Sequence, residues 1–129
     1  MRYLLDTHTL IWWMTSNPQL SKYAHALIEQ KEQNVSLVSA VSAWEIATKV
    51  RLGRLSAAAD LVQDFAFDIE DQKMKIILIT ADHAIRAGSL PGPHKDPFDR
   101  MLIAQAIAEN VPIISNDKAL DGYGAQRLW

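Results

Sequence analysis

Short apolar runs alternate along this chain with longer stretches of helical spacing, the pattern of a layered α/β fold. Residues 2–5, 35–38, 76–79 and 112–115 form the apolar runs, each too short for a helix and dominated by aliphatic side chains. They read as buried strands. Residues 127–129 add a candidate edge strand. Between them the spacing predicts helices. One covers about residues 9–14, and a second is capped by Ser21 and runs to about Gln33, with Tyr23, Ala24, Leu27 and Ile28 on one face. A third starts behind Ser39 or Ser42, continues through Trp44, Ile46, Ala47 and Val50, and stops at Gly53, a natural left-handed cap. Residues 56–70 make a fourth with Leu61, Val62, Phe65 and Ile69 as its buried stripe, and a short one over residues 82–87 ends at Gly88. Residues 89–95, with Gly92 between Pro91 and Pro93, read as a loop.

The last helix is the best marked. Asp96 before Pro97 is a strong start signal, because the carboxylate accepts from the free N–H groups of the first turn and proline there has no N–H to leave unpaired. Met101, Leu102, Ala104, Ala106, Ile107 and Ala108 cover most of its circumference before Asn110 closes it, so it is expected inside the layers. The whole predicts one α/β domain over residues 1–129, with a mostly parallel sheet covered by helices on both faces. In such a sheet the working crevice lies at the carboxyl ends of the strands.

Composition narrows the chemistry. At 129 residues and 49% hydrophobic, the chain can bury a substantial core. Thirteen Lys and Arg against fifteen Asp and Glu leave a formal charge of -2, so no global basic field marks a nucleic-acid binder. The absence of cysteine removes thiol catalysis and zinc–thiolate sites and suits a reducing compartment. The first apolar run carries Asp6 and His8 and is not read as a signal peptide, and no run approaches a membrane span, so a cytoplasmic location is expected.

Four acids fall where the crevice should lie: Asp6 after the first strand, Glu45 early in the third helix, Asp99 in the first turn of the last helix, and Asp117 past the last buried strand. Each alone has a plain structural role available. Asp6 and Asp117 suit helix caps, Ser42 with Glu45 fits a capping box, and Asp99 follows the capping Asp96. Together they are harder to explain. Two carboxylates ~4 Å apart at an effective dielectric of ~20 repel by about 4 kcal/mol, which a fold tolerates mainly when a divalent cation offsets it. Oxygen ligands without cysteine or clustered histidine favour Mg²⁺, with Mn²⁺ as a substitute. Such ions polarise phosphoryl oxygens and lower the pKa of an attacking water, which suits phosphodiester hydrolysis.

The stretches LLDTHTLIWW, VSAVSAWEIATKVRLGRL and LPGPHKDPFDRMLIAQAIAENVPIISND together resemble PIN-domain ribonucleases of the VapC toxin type, over nearly the whole chain. The resemblance implies a parallel sheet between helices, Mg²⁺-dependent endoribonuclease activity on RNA, and inhibition by a small VapB-like antitoxin. Asp6, Glu45, Asp99 and Asp117 match the family's acidic positions, with Asp6, Asp99 and Asp117 as expected metal ligands. Ser115 matches its small hydroxyl residue.

Other polar residues carry two readings. Thr7 and Asn116 could hold a metal-bound water or phosphate, or be ordinary turn residues. Asp96 reads as a cap, and His94 and Lys95 as a solvated loop within reach of an RNA backbone. Lys49, Arg51 and Arg54 complement the dipole at a helix end and also form a candidate phosphate track for RNA. Arg100 is placed to neutralise phosphate or pair with an acid. Trp12 and Trp13 cannot easily both be buried on one helix, so one is expected on an antitoxin or homodimer surface.

Rival readings are weaker. A haloacid-dehalogenase-like phosphatase wants a second Asp where His8 stands, and a receiver-type signalling domain wants adjacent acids after the first strand. The remaining alternative is a catalytically silent PIN-fold module that only binds RNA or protein, and a preference for DNA or flap-like substrates is compatible with the same acids.

Overall fold

The computed structural model describes all 129 residues, Met1–Trp129. Five strands, β1 (Arg2–Leu5), β2 (Val35–Ser39), β3 (Lys75–Ile77), β4 (Ile113–Ile114) and β5 (Arg127–Leu128), pair in parallel in the order β3-β2-β1-β4-β5. Seven helices accompany them: α1 (Thr7–Met14), α2 (Lys22–Glu29), α3 (Ala40–Arg51), α4 (Ala59–Gln63), α5 (Phe65–Asp71), α6 (Ala81–Ser89) and α7 (Pro97–Glu109). No helix is long and apolar enough to cross a membrane.

Successive strand residues point to opposite faces, and both faces are dry. Tyr3, Leu5, Val38 and Ile114 enter one core with Leu10, Ile28, Ile46 and Ile69, while Leu4, Leu37, Ile77 and Ile113 enter the other with Leu102 and Ile103. Two-sided burial is the reason these strands read as largely apolar runs and not as strict alternation. It also explains α7, where the five consecutive residues from Leu102 to Ala106 are all buried. Asn110 ends that helix in the left-handed region at φ 53°, as its position after the apolar run suggests.

The topology positions the crevice. β1 is central, with Leu4 paired to Leu37 on one side and to Ile113 on the other. From β1 the chain steps outward through β2 to β3, then crosses back to β4 and β5, so the winding reverses between β1 and β4. The Asp6 N–H donates to the Ile114 carbonyl at 3.1 Å, and residues after the two strands therefore leave side by side.

Several expectations need correction. Residues 56–70 are not one helix: a 3₁₀ turn (Ser56–Ala58) leads to α4, and Asp64, at φ -126° and ψ 41°, breaks the chain before α5. Leu61 on α4 and Ile69 on α5 are buried, whereas Val62 on α4 faces solvent. The strand expected over residues 76–79 ends at Ile77. Beyond it, on the sheet edge, Leu78 is 73% exposed and Ile79 is out of the core as well. The second helix stops at Glu29, not Gln33, and Tyr23 on it is exposed. Ser39 caps α3 through Val41 N–H, whereas Ser42 bonds Thr7, so no capping box joins Ser42 to Glu45. The short helix runs through Gly88, and Thr80 caps it. Trp12 and Trp13 are both half-buried: Trp12 packs on Trp129, and Trp13 packs on His25 and donates to Gln72 at 2.9 Å.

Ile114 touches the core from the strand next to the reversal, whereas Leu78 touches little. Replacing Ile114 with Ala is expected to lower unfolding stability by about 2–5 kcal/mol, and Leu78→Ala by under about 0.5 kcal/mol, in urea titrations.

Candidate functional site

Each acid is delivered by a different element. Asp6 follows β1 directly and caps α1, accepting from the Thr9 N–H at 2.7 Å. It is 6% exposed. Burial pushes its carboxyl above the ordinary range, against the pull of hydrogen bonds from Ser115 and Thr9 and of nearby His8. Thr9 secures the corner by donating its hydroxyl to the Ile114 carbonyl at 2.9 Å. Beside Asp6, Thr7 is buried and its hydroxyl meets that of Ser42 at 3.0 Å.

Glu45 lies one turn into α3, 2% exposed. The Lys49 ammonium, one turn further on, pairs with its Oε2, while Oε1 is buried without a hydrogen-bond partner. A buried carboxylate oxygen without a donor is costly, so this position invites a further positive group.

Asp99 sits in the first turn of α7, where Asp96 accepts from the N–H groups of Phe98 at 2.9 Å and of Asp99 itself at 3.4 Å. His94 Nε2 lies 2.8 Å from Asp99 Oδ2. Desolvation dominates and pushes Asp99 up to about 6, with the negative charges of Asp96 and Glu45 adding to the rise and the His94 hydrogen bond opposing it. Asp117, after β4, caps a 3₁₀ turn (Lys118–Leu120) by accepting from Ala119 N–H at 2.9 Å, and its own N–H donates to the Ser115 hydroxyl oxygen at 3.0 Å. Ser115 is fully buried and links Asp6 to Asp117.

All four acids line one open cleft of about 490 Å³, together with Asp96, Thr7 and Asn116. Five carboxylates there face two lysines, Lys49 and Lys118. The donors suit a hard divalent cation: they are all oxygen, and Glu45 Oε1 lacks a partner. As the side chains stand, no three of them converge on one point where an ion would sit. Glu45 is drawn to Lys49 and Asp99 to His94.

The basic residues divide. Lys49 lines the cleft, but Arg51 and Arg54 are exposed away from its lining. Arg100 corrects an expectation. Its guanidinium donates to the carbonyls of Ala87 at 2.9 Å, His94 at 3.0 Å and Leu90, and it does not line the cleft, because it serves as a clamp for the loop before α7. Sequence reasoning missed Lys118, His8 and Gln19 as lining residues and treated His94 as solvated. Nothing local to His94 signals its contact, which depends on a loop held by Tyr123 and Arg100.

A family model described as the PIN domain matches residues 3–125. The chain belongs to the PIN domain family. Among solved structures, a chain of VapBC2 from Rickettsia felis bound to a DNA fragment from their promoter is similar at TM-score 0.72 and 20% identity, covering 99% of this PIN domain and 98% of that chain. A chain of VapBC-1 from nontypeable Haemophilus influenzae gives TM-score 0.62 at 14% identity, with 99% and 97% covered. A toxin-antitoxin complex from Klebsiella pneumoniae gives 0.60 at 19%, with 98% and 96% covered. At these identities the likeness is one of fold. No curated protein matches the sequence.

The raised Asp99 carboxyl makes a pH prediction for the metal-free protein. The folded state holds this proton up to about pH 6, whereas the unfolded chain releases it near pH ~4, so stability falls as pH rises through that window. Asp99→Asn is expected to flatten the slope and to be more stable than wild type at pH 7, by on the order of 1 kcal/mol. Urea titrations between pH 4 and 8 read the difference.

Proposed function

We propose that this PIN domain is a metal-dependent endoribonuclease of the VapC toxin type. The observation that carries the reading is the convergence of Asp6, Glu45, Asp99 and Asp117, from four separate elements, on one cleft at the strand ends where the sheet reverses. Asp6 and Glu45 are buried, Asp99 is half-buried and Asp117 is exposed at the rim. Folds seldom gather such acids without a counter-charge, and a hydrolytic metal centre would offset their repulsion. Asp6, Asp99 and Asp117 would hold Mg²⁺ or Mn²⁺, with Glu45 completing the acidic ring. When bound, the ion supplies Lewis acidity toward the phosphoryl oxygen and lowers the pKa of a water.

The chain's own groups do the rest. Ser115 ties Asp6 to the turn that carries Asp117 and so keeps the two acids in register. Lys49 and Lys118 set positive charge at the cleft wall, where an RNA backbone would be drawn in without selection for sequence. Thr7 and Asn116 line the same wall and offer polar groups for a phosphate or water. Arg51 and Arg54, exposed near the C-terminal end of α3, would extend the backbone track outward.

The partner proposed for this chain is a small antitoxin, as in the complexes whose fold it shares. A second hollow of about 560 Å³ beside α1 is lined by Trp12, Trp13, Met14 and Leu20, and Trp12 lines the acidic cleft as well. A peptide with an apolar segment in this hollow and an arginine in the acidic cleft would suit both surfaces. A homodimer is also proposed, since Trp44, Leu78 and Ile85 stand 60%, 73% and 69% exposed. The setting proposed for the pair is the cytoplasm.

Cleavage of a panel of cellular RNAs by wild type and Asp99→Asn, with Mg²⁺ and with chelator, tests the activity. The expected result is cleavage that needs Mg²⁺ and falls at least about a hundredfold in the variant. Retained cleavage by contaminant-free Asp99→Asn would overturn the assignment. Silence of the wild type toward every RNA would favour a binding module without catalysis.

A further inference from the structure

The loop leading into α7 is tied down on both sides of one histidine. The His94 N–H donates to the Tyr123 hydroxyl oxygen at 2.8 Å, and the His94 carbonyl accepts from Arg100 Nη1 at 3.0 Å. Arg100 also donates to the carbonyls of Ala87 and Leu90, so one guanidinium joins the end of α6 to both ends of the loop. Gly92 makes room for the tyrosine. It sits at φ +112°, and a Cβ there would stand 2.8 Å from Tyr123 Cε1 and Oη, so a larger residue would displace the ring.

With its backbone fixed at two atoms, His94 has few directions in which to present its ring. The ring meets Asp99, Nε2 to Oδ2 at 2.8 Å, and each side chain is only about one-fifth exposed, 19% and 20%. Asp99 needs such a partner, because Asp96 and Glu45 both place negative charge near it.

We propose that His94 is a positioning residue for the metal centre: its Nε2–H holds Asp99 Oδ2 and thereby leaves Oδ1 as the oxygen offered to an ion. The inference rests on the reading of Asp99 as a metal ligand. A carboxylate free to rotate loses that freedom on binding an ion, whereas one already held by a donor does not, and outer hydrogen bonds of this kind typically change metal affinity ten- to a hundredfold. Tyr123, Gly92 and Arg100 then act one step further out, as the frame that aims the ring.

Mn²⁺ titration by calorimetry of the full chain tests this without reference to cleavage. His94→Ala is expected to weaken Mn²⁺ binding about ten- to a hundredfold. His94→Gln, which keeps an N–H donor at similar reach, should recover most of the loss, and Tyr123→Phe should cause a smaller one. Wild-type affinity in His94→Ala, alongside lost binding in Asp99→Asn, would overturn the proposal and leave the metal site standing. Equal losses in the Ala and Gln variants would overturn it too, since packing alone would then explain them. Undiminished Mn²⁺ binding by Asp99→Asn would instead remove the underlying metal assignment. Should His94→Ala fail to fold, nitrogen NMR of the wild-type ring decides. A proton on Nε2 supports the proposal, and a ring protonated on Nδ1 alone contradicts it.

Discussion

Desolvation of carboxylates that share one cleft is the constraint on which the candidate site depends. Asp6 and Glu45 are nearly inaccessible, Asp99 is pushed up to about 6, and Asp96 and Asp117 line the same cleft. Two lysines and one histidine contact meet only part of that demand, and Glu45 Oε1 is left without a partner. The proposed binding of a hard cation and a phosphate would give these groups at the reversal of the sheet a shared use.

The local roles of these acids do not compete with a shared one. Asp6 and Asp117 each use Oδ1 to cap a following turn, accepting from Thr9 and Ala119. Capping engages one oxygen and so orients the carboxylate, and at Asp6 hydrogen bonds from Ser115 and Thr9 hold it further. Asp96 performs the same service for the first turn of α7 and so places Asp99. The caps made by Asp6, Asp96 and Asp117 are therefore part of how the site is assembled, with the buried sheet below as its rigid base.

The legible parts of the fold were those with strong local physics. The Asp96-Pro97 start of α7, the left-handed close at Asn110 and the two-sided apolar runs of β1, β2 and β4 each carry a signal within a few residues. Where tertiary contacts decide, the pattern misleads. Leu78 and Ile79 look like core because they continue an apolar run, yet the sheet ends beneath them. Residues 56–70 have helical spacing, but the backbone breaks at Asp64, and α4 and α5 each bury a residue of their own, Leu61 and Ile69. The four acids could be named from their places after strands and at helix starts. The His94 contact could not, because it depends on a loop aimed by Tyr123 and Arg100 from distant positions. Arg100 shows the converse: its neighbour in sequence is an acid, and its partners are carbonyls.

The most direct test of the central claim, that these carboxylates constitute a metal site, is anomalous diffraction from crystals of the wild-type protein soaked in Mn²⁺. The account predicts a strong peak in the cleft within about 2.0–2.4 Å of carboxylate oxygens from Asp6, Asp99 and Asp117. An ordered site with no peak, or a peak bound only elsewhere on the surface, would contradict it.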